Sequence, residues 1–149
     1  MSVVKTEVIV LRTRHFSESS LIATLFGRRG GRLDVLAKGC RREKSLLFGH
    51  LDVYRREEAI ILERPQAGLD LLLDAACLDE HTGLRFSPPS FAAAGLLADL
   101  AAEAVQPGDS QPELFDALAQ SLRILSAFGE GSARAGLSPA LPFSMGEKK

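Results

Sequence analysis

The chain has 149 residues, 46% of them hydrophobic, with eight Phe, one Tyr and no Trp, which suits one domain of ordinary size or a small domain with an appendage. Its net charge of −1 hides a split: residues 1–64 carry +5 and residues 65–149 carry −6, so a polyanion site is expected in the first half. The longest apolar stretch, Phe91 to Val105, contains Asp99 and Glu103 and is too short and too charged to span a membrane.

In chain order, residues 6–12 (TEVIVLR) read as a β-strand, residues 13–20 as a polar turn and Leu21–Phe26 as a second strand. Gly27–Gly31 is a tight reversal into a third strand, Arg32–Lys38, with Leu33, Val35 and Ala37 on one side and Arg32, Asp34 and Lys38 on the other. Ser45–His50 is irregular. Leu51–Arg55 and Ala59–Glu63 read as further strands, although residues 54–63 also tolerate a helix, and Leu69–Leu78 as a last buried strand. Short strands with turns every 8–12 residues suggest a small barrel or sandwich.

Beyond Gly83 the texture becomes helical. Ser87 with Pro88 and Pro89 offers a cap for a helix whose stripe is Phe91, Leu96, Leu97, Leu100 and Ala104. Residues 106–109 break it. Ser110 and Glu113 have the spacing of a capping box, Leu114, Leu118, Leu122 and Leu125 mark a second helix, and Gly129 reads as its stop. The predicted organisation is thus a mainly β domain over 1–82, two amphipathic helices within 83–130, and a loose tail over 131–149. The leucine stripes carry more apolar surface than two helices easily cover, so the chain is expected to self-associate through residues 91–128 or to need a partner there, while the barrel of residues 1–80 folds alone.

Basic charge is most concentrated between Arg28 and Lys44, where Arg28, Arg29, Arg32, Lys38, Arg41, Arg42 and Lys44 face only Asp34 and Glu43. On the strand reading they lie on one strand face and at both its ends, where they converge on one anionic ligand. Arg12 and Arg14, at the end of the first strand, extend the basic surface. Phe16, Phe26 and Phe48 flank it, and each reads as core before it reads as a stacking platform.

Other chemistry is thinly represented. GRRGGR (residues 27–32) lacks the Lys-Ser/Thr ending of a phosphate loop. His15, His50 and His81 make no nucleophile–base pair with Cys40 or Cys77, and Glu57-Glu58 and Asp79-Glu80 read as solvated pairs. No cofactor motif and no metal-ligand spacing is present. The two lone cysteines, without a secretory signal, suggest reduced thiols and a cytoplasmic protein. A small barrel carrying Arg and Lys can follow a phosphate backbone. The competing class is an adapter whose basic patch holds an acidic protein tail.

The opening residues 6–45, TEVIVLRTRHFSESSLIATLFGRRGGRLDVLAKGCRREKS, resemble the N-terminus of the RecO family of recombination mediators in DNA repair. The matching features are the T-E-x-I-V-L-R strand, the S-E-S-S-L turn into a strand ending T-L-F, G-R-L-x-V-x-A-K-G, and the basic R-R-x-K-S run. The resemblance implies a five-stranded OB-fold barrel followed by a helical domain. It also implies binding of single- and double-stranded DNA, strand annealing, and RecA loading on DNA coated by single-strand binding protein, together with RecR. Two positions depart from the family's usual pattern: Cys40, and Glu43, which is placed to pair with Arg42 or Lys44. Family members continue into further helices, many with a four-cysteine zinc module, that have no counterpart in these 149 residues.

Overall fold

The computed structural model describes residues 2–135. Five strands, β1 (Ser2–His15), β2 (Leu21–Gly27), β3 (Gly31–Ala37), β4 (Arg56–Glu63) and β5 (Asp70–Asp79), close into a barrel in the order β1-β2-β3-β5-β4. All neighbours are antiparallel except β3 and β5, which pair in parallel through Val35–Asp70 and Leu36–Leu71. The fold is the expected OB barrel followed by helices. A 3₁₀ turn, Thr82–Phe86, leads to α1 (Pro88–Ala104) and α2 (Pro112–Arg134).

The unbroken apolar run in β1 has a physical reason. Strand side chains alternate, and here both sides are covered: Val8 and Val10 join the barrel core, while Ile9 and Leu11 join a second core against the helices. The same division splits β2, with Ala23 and Leu25 inside the barrel and Phe26 outside it. Phe26 meets Phe115 of α2 edge to face at 5.4 Å. At Leu11 the β1–β2 register slips by one residue, a bulge where Val10 instead exchanges backbone hydrogen bonds with Tyr54 and Arg55.

Four local readings differ from the structure. Residues 51–55 form a turn rather than a strand, with Tyr54 at φ 71°. Leu51 fills the barrel core and Tyr54 the second core, so their spacing reflects a chain serving two interiors. In α1 the buried stripe is Ser90, Ala94, Ala98, Ala101 and Ala102, while Leu96 and Leu100 are 62% and 58% exposed. Small side chains let α1 approach the bulky Ile9, Leu11 and Phe26, and the leucines turn outward. Ser110 and Glu113 form no capping box, because the α2 cap is Gln111 and the Ser110 hydroxyl accepts from Gly30 N–H at 2.8 Å.

Gly129 does not stop α2, which continues to Arg134; residues 136–149 of the expected tail lie outside the described residues. Gly129 instead faces Gly83 of the 3₁₀ turn, and a Cβ on it would stand 1.9 Å from the Gly83 carbonyl oxygen. The neighbouring Ser126 hydroxyl accepts from Gly83 N–H at 3.0 Å, fixing the crossing. Gly129→Ala should cost about 1–3 kcal/mol, as overpacked contacts do. Gly131→Ala, with open space around it, should stabilise the helix by up to about 1 kcal/mol. Scanning calorimetry of the two variants should show midpoints shifted in opposite directions.

Burial pushes up the Cys40 and Cys77 thiols and the Tyr54 phenol, the last helped by Asp99. Each group therefore holds its proton more tightly folded than unfolded. The stability this gives is complete below the unfolded thiol value of about 8.5 and is lost as pH rises through the raised folded values. In reducing buffer the urea midpoint should fall progressively above about pH 8.5, and a Cys40→Ala, Cys77→Ala double variant should flatten that fall. A midpoint rising with pH would contradict this.

Candidate nucleic-acid interface

The basic residues do not converge. His15 pairs with Leu21 and Leu21 with Ala37, so the β1–β2 turn and the chain after β3 share one rim of the barrel. Arg28, Arg29 and Arg32 lie at the other end of β3, six residue steps or roughly 20 Å away at 3.3 Å per residue. One strand face cannot bring both groups to a single anion.

At the β2–β3 end, Arg28 and Arg32 are already engaged. Arg28 Nη2 donates to Asp116 of α2 at 2.5 Å and its Nε to Glu7 at 3.1 Å, and its guanidinium lies 5.0 Å from the Phe115 ring centroid. Those carboxylates raise the Arg28 pKa above its usual range. Arg32 donates to the Ala102 carbonyl of α1 at 3.0 Å, while its buried Nε lies 3.7 Å from Asp34 without a hydrogen bond. The Asp34 carboxylate is held by the Thr24 hydroxyl at 2.8 Å. Arg29 is exposed, and its backbone N–H donates to Thr6. Arg12, also exposed, lies 3.9 Å from Glu103 of α1.

The other rim is different. Arg14, Lys38, Arg41, Arg42 and Lys44 are all exposed, and none of them lies within salt-bridge distance of a carboxylate among the described residues. Glu43 therefore does not form its expected pair with Arg42 or Lys44. The loop is held by its backbone and core side chains. Arg41 N–H donates to the Ser19 carbonyl at 3.0 Å, Gly39 N–H to the Ser20 hydroxyl at 2.9 Å, and Arg41 Nη1 to His15 Nδ1 at 2.8 Å. Cys40 and Leu47 anchor it in the barrel core. Its far end is tied down by His50, whose Nδ1 lies 2.9 Å from the fully buried Glu57 carboxylate, which also accepts from Arg55 at 2.8 Å.

Phe26 is core, as read, but Phe16 and Phe48 are 57% and 50% exposed on this basic rim. Leu46 is exposed beside them in sequence while Leu47 is buried. In an irregular loop no period of two or 3.6 sorts inward from outward residues, so sequence reasoning had no signal for either ring. It also missed a cleft of about 570 Å³, whose lining includes Thr13, Leu21, Arg41, Phe48, Asp52 and Val53. Those residues are scattered over 40 positions and come together only through the barrel closure. Among the described residues no group of three or more His, Cys, Asp or Glu side chains is placed to hold a metal ion, and no helix is long and apolar enough to cross a membrane.

Residues 1–80 match the family model described as Recombination protein O N terminal, and residues 85–137 match Recombination protein O C terminal. The DNA repair protein RecO of Syntrophobacter fumaroxidans is 34% identical over 125 residues, covering 84% of this chain and 49% of the relative. That of Rhodopirellula baltica is 35% identical over 123 residues, covering 83% and 45%. That of Salinibacter ruber is 29% identical over 125 residues, covering 84% and 48%. The chain thus spans about half the length of these curated relatives. With one family model covering the barrel and a second the helices, the chain belongs to the recombination protein O (RecO) family.

Proposed function

We propose that this chain is the DNA-binding part of a non-enzymatic recombination mediator in DNA repair, working in the cytoplasm at the nucleoid. It binds single- and double-stranded DNA without base readout, promotes annealing, and helps load RecA on strands coated by single-strand binding protein, with RecR as partner. The observation that carries the reading is the barrel rim of Arg14, Lys38, Arg41, Arg42 and Lys44, five exposed cations, four of them on a loop pinned by buried groups and Arg14 at the end of β1 beside it. Family membership supports the choice of DNA over an acidic peptide. Arg29 and Arg12 are secondary contacts, and Arg28 and Arg32 hold the helices.

If the rim neutralises three or four phosphates, log affinity for single strands should fall against log salt with a slope of about −2 to −3, at roughly 0.7 per phosphate. Arg41→Ala with Arg42→Ala should weaken binding on every sequence alike and flatten the slope, whereas Arg29→Ala should change little. Fluorescence anisotropy with labelled oligonucleotides at several salt concentrations measures both. A slope near zero, with tight binding of an acidic peptide, would favour the adapter instead.

The outer faces of α1 and α2 serve protein contacts in this reading. Leu96, Leu100, Ile124 and Phe128 are exposed, and Leu100 and Leu114 line an apolar groove of about 240 Å³ between the helices. Covering about 400 Å² of such surface would contribute about 10 kcal/mol at roughly 25 cal/mol per Å², and patches of that size mark interaction sites. The isolated chain is expected to self-associate through residues 91–128. Sedimentation should show dimers or larger species at tens of micromolar, and Leu96→Lys with Leu100→Lys should return it to monomer.

A further inference from the structure

The cleft beside the basic rim has a composition that phosphate binding does not require. Its volume of about 570 Å³ falls within the range of small-molecule sites, about 300–1,000 Å³. Leu21, Leu47, Leu51 and Val53 give it apolar walls, while Arg41, Asp52 and the Thr13 side chain supply polar groups. Phe48 belongs to the lining and keeps half its ring in water, although Leu47 beside it is buried. The Asp52 carboxylate is held by Arg85 at 3.1 Å, so it repels an approaching phosphate less while still accepting a hydrogen bond. Arg41 is steadied by His15 and by the backbone of Ser19.

We propose that this cleft receives one unstacked nucleobase of a single strand, its face against the Phe48 ring and its flanking phosphates on the rim cations. The inference rests on the reading of the rim as a DNA site and adds a distinction between strand states. A nucleobase is flat and apolar on its faces and hydrogen-bonds at its edge, which matches apolar walls with a few polar groups. Bases within an intact duplex are stacked and paired, and turning one out carries a cost that a single strand avoids. The cations act on both forms through the backbone; Phe48 acts on single strands alone.

Phe48→Ala should weaken binding of an oligothymidylate roughly 5- to 100-fold, the loss expected for one base–aromatic stack, and leave affinity for a blunt duplex unchanged. Phe48→Trp should restore single-strand affinity. Because the chain has no tryptophan, that variant carries a single indole whose emission should be quenched by oligothymidylate and not by the duplex. Circular dichroism checks that both variants fold. Equal weakening of both DNA forms by Phe48→Ala, or an indole indifferent to a bound single strand, would overturn the cleft while leaving the DNA rim standing. Failure of the unaltered protein to bind either form would remove the rim reading and the cleft with it. An emission shift with anionic phospholipid vesicles but none with oligonucleotide would overturn both in favour of a membrane contact.

Discussion

Where β2 turns into β3, the backbone of Gly31 runs so close to the α1–α2 connection that a Cβ there would stand 2.5 Å from the carbonyl oxygens of both Gln106 and Asp109. Around that contact Gly108 N–H donates to the Gly30 carbonyl, Arg32 N–H to Gln106, and Gly30 N–H to the Ser110 hydroxyl. Both Gly30 and Gly31 have positive φ, which L side chains rarely adopt. The double glycine is therefore a seam between barrel and helices, and it fixes which end of the barrel stays open. The hairpin end is met by the α1–α2 connection and the helix ends that adjoin it. The far rim, with its loop of cations, is left to solvent.

This seam sorts the basic residues into two populations with different energetics. Arg28 and Arg32 sit at the covered end, where carboxylates, a ring face and a carbonyl have claimed them. Such partly exposed pairs contribute little stability singly, about 0–1 kcal/mol, so their role is to orient helices that the Phe26–Phe115 core already holds. Among the described residues the rim cations have no carboxylate partners. A surface where like charges gather without paired carboxylates lowers stability through repulsion. That cost is tolerable on a loop anchored by Cys40, Leu47, and the buried Glu57 with its His50 and Arg55 partners.

Much of the barrel was legible because period-two signals are local. Leu21–Phe26 and Arg32–Lys38 announce β2 and β3, Gly30-Gly31 announces the turn, and residues 6–45 carry the family resemblance that ordered the rest. What failed depended on contacts distant in sequence. Leu96 and Leu100 of α1 look like part of its buried stripe until Ile9, Leu11 and Phe26 show that small side chains fill the face against them. Gly129 resembles a helix stop because nothing nearby reveals Gly83 on its other side. The site was half legible. Charge along the chain marked the loop that carries the exposed cations, yet one basic stretch in sequence became two places in space, because a seven-residue strand separates them.

The alternation of β1 between two interiors makes that strand a party wall. Val8 and Val10 face one room and Ile9 and Leu11 the other, and Phe26 beside them faces the helices. Stripping the helices away would wet Ile9, Leu11 and Phe26 together, at roughly 1.5–3 kcal/mol for each side chain. That is comparable with the whole stability of a typical domain, about 5–15 kcal/mol. Two family models divide the chain near residue 82, and the second core draws side chains from both sides of that division. A barrel parted from its helices would carry a wall built to be covered on both sides.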